Sequence, residues 1–141
     1  QGNEEYLALL TSILEAMPKG ATKYVMGTGG EAFMAETMRP IWEPYHAVAR
    51  RRKIQIHMLA YQAQRNAFQA EVEKEGLYEV RYLANVHENP AGVHIYPELG
   101  VVLNIIYSDA TTPVTAIRID HMALAQAELQ LFESLWRQAK P

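Results

Sequence analysis

His94 and Tyr96 are the residues of this chain whose types and spacing best fit a binding or reactive site. They are two positions apart in a strand-like segment, and alternate side chains of a strand point to the same face of a sheet. The pair therefore offers an imidazole and a neutral hydroxyl side by side. Together with Asn104 on the next strand, they predict a place where converging hydrogen bonds recognise a small polar ligand.

Aromatic side chains often form the walls of such a site, and Trp42 and Tyr45 are the candidates here. Packing in the core or at a dimer interface is the alternative for Trp42, and an exposed sheet face is the alternative for Asn104. Arg81 is either an anion contact or a salt-bridge partner. The candidate ligand-binding residues are therefore His94, Tyr96, Asn104, Trp42, Tyr45 and Arg81.

A glycine-rich turn, Gly27-Thr28-Gly29-Gly30, follows a short apolar run and precedes a helical segment. Backbone N–H groups at such a place can hold an anion, but the turn lacks both the G-x-G-x-x-G pattern and the Lys-Ser/Thr pair of a P-loop. A tight turn without a ligand is the favoured interpretation. Because no two of the five histidines are spaced four apart and there is no cysteine, we predict neither a metal site nor a cofactor.

The composition is that of a single soluble domain covering residues 1–141, with 49% apolar and 21% charged residues. No apolar run approaches the length of a membrane span. The net charge of −3 argues against nucleic-acid binding by this chain alone, and the basic run Arg50–Lys53 is typical of a helix C-terminus. The absence of cysteine is compatible with the cytoplasmic location that we predict. The start at Gln1, without Met or a signal peptide, indicates a cut inside a longer protein or a tag remnant.

Hydrophobic periodicity predicts four helices and six strands. Helices are expected at Glu4–Met17, at Glu31–Arg52 with a kink or break at Pro40 and Pro44, at Gln62–Glu75, and at Met122–Ala139 with Asp120 as N-cap. Strands are expected at Tyr24–Met26, Ile54–Leu59, Tyr78–Leu83, Val93–Tyr96, Val101–Tyr107 and Val114–Ile119. This order predicts an α/β fold: a mixed β-sheet flanked by helices on both faces, with parallel pairing early and antiparallel pairing late.

The last third of the chain resembles the end of a phospholipase D-like domain. His94-Ile95-Tyr96 stands where that superfamily has His-x-Lys on a hairpin, and the final helix contains Phe132 and Trp136 as its Phe-x-x-x-Trp pair. Tyr96 replaces the Lys, and Val101 stands at the position of the Asp, although a shorter turn would make Glu98 a displaced carboxylate. The resemblance therefore implies the scaffold without the catalytic set.

Over nearly all 141 residues the chain is similar to the C-terminal domain of TrmB-type transcriptional regulators. The Val80-Arg81-Tyr82-Leu83 strand and the stretch from Ile117-Arg118-Ile119-Asp120 to Phe132-Glu133-Ser134-Leu135-Trp136 carry this resemblance. It implies a phospholipase D-like, catalytically inactive domain that senses a small polar effector, either a sugar or an anion. It also implies a homodimer, and DNA binding only through an N-terminal domain absent from this chain. The alternatives are a single-motif phosphodiesterase or nuclease acting as a dimer, and a purely structural dimerisation domain.

Overall fold

A computed structural model describes residues 3–27, 38–61, 76–84, 91–107 and 113–141. Within them the chain forms three helices and six strands. In chain order these are α1 (Asn3–Ala16), β1 (Thr22–Met26), α2 (Arg39–Arg51), β2 (Gln55–Tyr61), β3 (Tyr78–Leu83), β4 (Ala91–Tyr96), β5 (Val101–Ile106), β6 (Thr115–Asp120) and α3 (Met122–Gln138). The helix predicted at 62–75 and the first part of the helix predicted at 31–52 lie outside the described residues.

The six strands form one mixed sheet in the order β3-β2-β1-β4-β5-β6. β1, β2 and β3 pair in parallel, whereas β4 pairs antiparallel with β1, and β5 and β6 follow antiparallel. The predicted change from parallel to antiparallel pairing is confirmed. Its cause is chain length: the connections after β1 and β2 are long enough for a crossover, whereas Pro97–Gly100 between β4 and β5 permits only a hairpin.

The two faces of the sheet carry different cores. On one face, α1 and α2 pack over the sheet with Tyr6, Leu10 and Leu14 in a large cluster that includes Tyr96 and Leu103. We call this the α1/α2 face. On the other, α3 packs through Phe132 against Leu59 and Ile95, and we call this the α3 face. The expectation of helices on both faces is therefore confirmed.

The apolar side of α1 is fully used within the chain. Leu10, Leu14 and Met17 have no exposed surface, and Leu7 packs against the same cluster. The sheet therefore covers this side within the chain. On α3, in contrast, Leu131 remains 51% exposed although Phe132 beside it is buried.

The prolines of α2 and the N-cap of α3 are the local helix features that the sequence predicts. α2 begins at Arg39, so that Pro40 lies in the first turn, where a missing N–H has no intrahelical partner anyway, and it continues through Pro44 to Arg51. Pro44, one turn later, removes a single backbone bond. The N-cap of α3 is His121 rather than Asp120, and its Nδ1 accepts a hydrogen bond from the Leu124 N–H at 3.3 Å.

None of these helices within the described residues has the length and hydropathy of a membrane span.

Candidate functional site

His94 and Tyr96 lie on the same face of β4, as predicted, but that face is closed. Tyr96 is completely buried and His94 is 7% exposed, both beneath the helices of the α1/α2 face. Burial lowers the pKa of His94 well below its ordinary value, and the nearby Lys23 lowers it further. His94 is therefore a neutral imidazole at physiological pH, without direct access to a ligand in solution.

Lys23 is the residue that sequence reasoning missed. It precedes Tyr24, which pairs with Ile95, so Lys23 lies beside Tyr96 across the β1–β4 ladder. Only 1% of it is exposed, and its Nζ is 2.6 Å from the Tyr45 Oη. The same Nζ lies 4.9 Å from the centre of the Tyr45 ring and 5.3 Å from that of Tyr96. The strand pattern could have revealed it, since Lys23 occupies the same face as the buried Val25.

Few groups stabilise the positive charge of Lys23. None of the ion pairs among the described residues involves it, and burial lowers its pKa to about 7. Two aromatic faces and one hydroxyl oxygen are the groups that stabilise its ammonium form. Nearby, His94 Nδ1 and Tyr96 Oη are buried without a hydrogen-bond partner in the described part of the chain. The cluster Lys23–Tyr45–His94–Tyr96 is thus a buried polar cluster in which the protonation of Lys23 is finely balanced.

Trp42 and Tyr45 share α2 but have different surroundings. The Trp42 ring stacks on His46 at 5.9 Å and packs towards Ala60 and Tyr82 at the β2–β3 end of the sheet. His46 Nε2 is 2.7 Å from the Tyr78 Oη, and burial is the largest cause that lowers the pKa of His46 to about 4. Trp42 therefore contributes to packing, the alternative that the sequence left open, whereas Tyr45 belongs to the Lys23 cluster.

Arg81 and Asn104 lie on the other side of the sheet. Arg81 Nη1 donates to the Trp136 carbonyl oxygen at 2.9 Å, and its guanidinium carbon is 4.5 Å from the centre of the Trp136 ring. This arrangement fastens the end of α3 to β3. Asn104 is also on the α3 face, because its neighbour Leu103 pairs with His94 on the α1/α2 face. The expected grouping of Asn104 with His94 and Tyr96 is therefore wrong, since adjacent residues of β5 point to opposite faces.

Asn104 instead lines a cavity of about 230 Å³ on its own face. The cavity opens at the carboxyl ends of β1, β2 and β3, beside the start of β4. This is where successive strands change from one side of β1 to the other, and open α/β sheets bind their ligands at such a switch point. The lining residues are Met26, Gly27, Leu59, Tyr61, Leu83, Ala91, Gly92, Val93, Asn104 and Leu135.

Two glycines shape the base of this cavity. The Tyr107 hydroxyl, reaching from the α1/α2 face, donates to the Gly27 carbonyl oxygen at 2.6 Å. A Cβ on Gly92 would lie 2.0 Å from that hydroxyl oxygen, so only glycine fits there. Gly27 is the one residue of the predicted glycine-rich turn that the structure describes, with φ +82. Thr28, Gly29 and Gly30 lie outside the described residues.

The polar character of the cavity is concentrated in a few groups. The Asn104 carboxamide takes part in none of the hydrogen bonds of the described residues. Apart from Tyr61, the other lining residues are apolar residues or glycine. In the described ranges, moreover, no three His, Asp or Glu side chains are grouped so as to hold a metal ion. The arrangement suits a small molecule with an apolar body and a hydrogen-bonding group that meets Asn104.

Comparison with known proteins shows that the fold is similar to solved structures. The chain matches no protein-family model and no curated protein sequence, but 13 chains of solved structure match it. Its fold is that of a domain found in a DNA-associated archaeal protein. That protein is TrmBL2, an archaeal chromatin protein whose structure shows a novel mode of DNA binding; it shares 15% identity with this chain at a TM-score of 0.59. The match covers 99% of this chain and 52% of TrmBL2, so the chain spans about half the length of that protein.

Proposed function

We propose that this chain is the effector-binding and dimerising half of a TrmB-like transcription regulator, with a catalytically inactive phospholipase D-like fold. The observation that carries the proposal is the fold shared with TrmBL2 over 99% of the chain. The similarity to TrmB-type regulators in the Val80–Leu83 strand and in the last helix supports it independently.

In this proposal DNA is bound by another part of the complete protein. The 141 residues carry a net charge of −3, whereas phosphate neutralisation requires clustered Lys and Arg. Arg50 and Arg51, in the one basic run, are already engaged with Glu43 and Glu15 at 3.0 Å and 2.7 Å. The match to about half of TrmBL2 leaves room for a separate DNA-binding segment in a protein of this kind.

The surroundings of His94 support the proposal of catalytic inactivity. A nucleophilic histidine must reach phosphorus, and His94 is closed beneath the helices of the α1/α2 face. Lys23 does supply a cation beside Tyr96, the one feature that favours the alternative of a phosphodiesterase. Lys23 is as inaccessible as His94, and burial lowers its pKa to about 7. A substrate phosphate could therefore meet neither group without separating the helices from the sheet.

The proposed site for the effector is the cavity at Asn104 rather than the His94–Tyr96 face. We expected a sugar or an anion from the sequence, but none of the described lining residues is a cation, and few are polar. A sugar would bury most of its hydroxyls against apolar side chains, at a cost of more than 1 kcal/mol for each unpaired group. A neutral molecule with an apolar body and an amide, carbonyl or hydroxyl group fits better. Since a cavity of roughly 150 Å³ holds benzene, 230 Å³ admits a substituted ring.

The experiment compares benzamide, benzoate and maltose as probes, with binding measured by chemical-shift titration of the purified chain. Benzamide should bind, and Asn104→Leu should weaken it about tenfold through loss of one hydrogen bond. Gln126→Leu, which also replaces a carboxamide by an apolar side chain but at an exposed position of α3, should leave binding unaltered. Binding of maltose or benzoate that is lost in His94→Ala but not in Asn104→Leu would contradict the assignment of the site.

A further inference from the structure

β6 forms one edge of the sheet, with features that sheet edges normally avoid. Its sequence, Thr115-Ala116-Ile117-Arg118-Ile119-Asp120, contains neither proline nor lysine, and its pairing with β5 is continuous, without a bulge. No strand among the described residues pairs with its outer side. The outward N–H and C=O groups of such a strand form a template for another strand.

Three of the four exposed large apolar side chains of the described residues lie on or next to the last two strands. The four are Ile106 on β5, Ile117 on β6, and Met122 and Leu131 on α3. Ile117 pairs with Asn104, so it lies on the α3 face, and it is 49% exposed. Exposed apolar side chains at a sheet edge mark interaction sites.

We propose that a second copy of this chain pairs with β6 in antiparallel orientation, so that two sheets become one across a two-fold axis through Ile119. This inference rests on the dimerisation in the proposed function, and it names β6 as the interface of that dimer. The occupant is a second copy because the charges of the strand complement themselves. Arg118 and Asp120 are 2.7 Å apart, and their side chains are 44% and 64% exposed.

The register follows from symmetry and charge. A two-fold axis perpendicular to the sheet must pass between two copies of the same residue, because opposing side chains share a face. With Ile119 at the axis, Arg118 of each copy faces Asp120 of the other, and the four charges alternate in sign. An axis at Arg118 or at Asp120 would place like charges opposite each other, which destabilises a strand pair. The chosen register also brings the two Ile119 side chains together on the α3 face.

The test uses charge reversal on the whole chain, with mass measured by light scattering at micromolar concentration. The unmodified chain should be a dimer. Arg118→Asp should weaken dimerisation about tenfold or more because its four edge charges are all negative, and Asp120→Arg should do so because they are all positive. Mixing the two variants should restore a dimer that contains one copy of each. The double variant Arg118→Asp/Asp120→Arg should dimerise with itself.

Arg137→Asp is the matched control, since it makes the same change of charge at an exposed position of α3 and should leave the dimer intact. Circular dichroism of each variant verifies that the monomer is folded. A monomeric unmodified chain would overturn the proposal, and so would a dimer that survives both single reversals, or two weakened variants that do not pair when mixed. The readout is mass alone, so failure here would leave effector binding in the cavity as a separate question.

Discussion

Replacing the buried Lys23 with methionine should stabilise the protein at neutral pH. Burial lowers the pKa of Lys23 from 10.5 to about 7, and each pKa unit corresponds to 1.36 kcal/mol. Placing this amine in the core therefore disfavours folding by about 4 kcal/mol at pH 7. Methionine removes that term but leaves the Tyr45 hydroxyl without its 2.6 Å partner, which costs about 1–2 kcal/mol. Because the first effect is larger, Lys23→Met should raise the free energy of unfolding by about 3 kcal/mol.

The pH dependence of unfolding shows whether the buried amine of Lys23 is the cause of this destabilisation. Since the pKa of Lys23 is lower in the folded than in the unfolded chain, the unfolded state holds more protons between the two values. Stability must then rise with pH, by about 2–3 kcal/mol from about pH 7.5 to pH 9.5. The buried histidines, whose pKa values are lowered, add to such a rise only at and below about pH 6.5. The buried tyrosines, whose pKa values are raised, reduce stability only near and above pH 10.

Urea unfolding at several pH values in that window measures the effect. The unmodified chain should show the rise, and Lys23→Met should show a flat profile at higher stability. Lys19→Met, which removes an exposed amine from the turn after α1, is the control and should follow the unmodified chain. A flat profile for the unmodified chain, or a loss of stability in Lys23→Met at pH 7.5, would refute the reasoning.

Three further predictions follow from individual contacts. The chain should not turn over bis(p-nitrophenyl) phosphate, because His94 is closed; steady turnover that disappears in His94→Ala would contradict this. Gly92→Ala should destabilise by about 2 kcal/mol or more in urea unfolding, because the new Cβ would meet the Tyr107 hydroxyl at 2.0 Å, and an unchanged midpoint would be the contrary result. Arg81→Met should increase amide hydrogen exchange at the end of α3 because it removes the bond to the Trp136 carbonyl; unchanged exchange there would show that the bond is dispensable.

Periodicity was sufficient to predict the sheet and most helix bounds. The strand at Tyr78–Leu83 was predicted to the residue, because its alternation and its flanking turn residues are unambiguous. The remaining strands and α3 differ from prediction by one or two residues at their ends, where local pattern is weakest. Of the two prolines predicted to kink or break the second helix, Pro40 lies where α2 begins, and α2 continues through Pro44 to Arg51.

The candidate site was less predictable because it depends on which strands become neighbours. Spacing placed His94 and Tyr96 on one face correctly. It could not reveal that α1 and α2 cover that face, or that β1 brings Lys23 next to Tyr96. The position of Asn104 depends on the hairpin register, in which Leu103 faces His94. A shift of one residue would have placed Asn104 there instead, so the sequence alone could not assign its face.

The central claim, that these 141 residues are the sensing half of a DNA-binding regulator, is tested most directly by comparing duplex DNA binding by the complete protein and by this chain alone. Gel retardation at a fixed salt concentration should show binding by the complete protein, and none by the chain with its net charge of −3. A probe that binds the cavity should change the affinity of the complete protein, and Asn104→Leu should abolish that change. Equal DNA affinity of the chain and the complete protein would contradict the account, and so would an effect of the probe that survives Asn104→Leu.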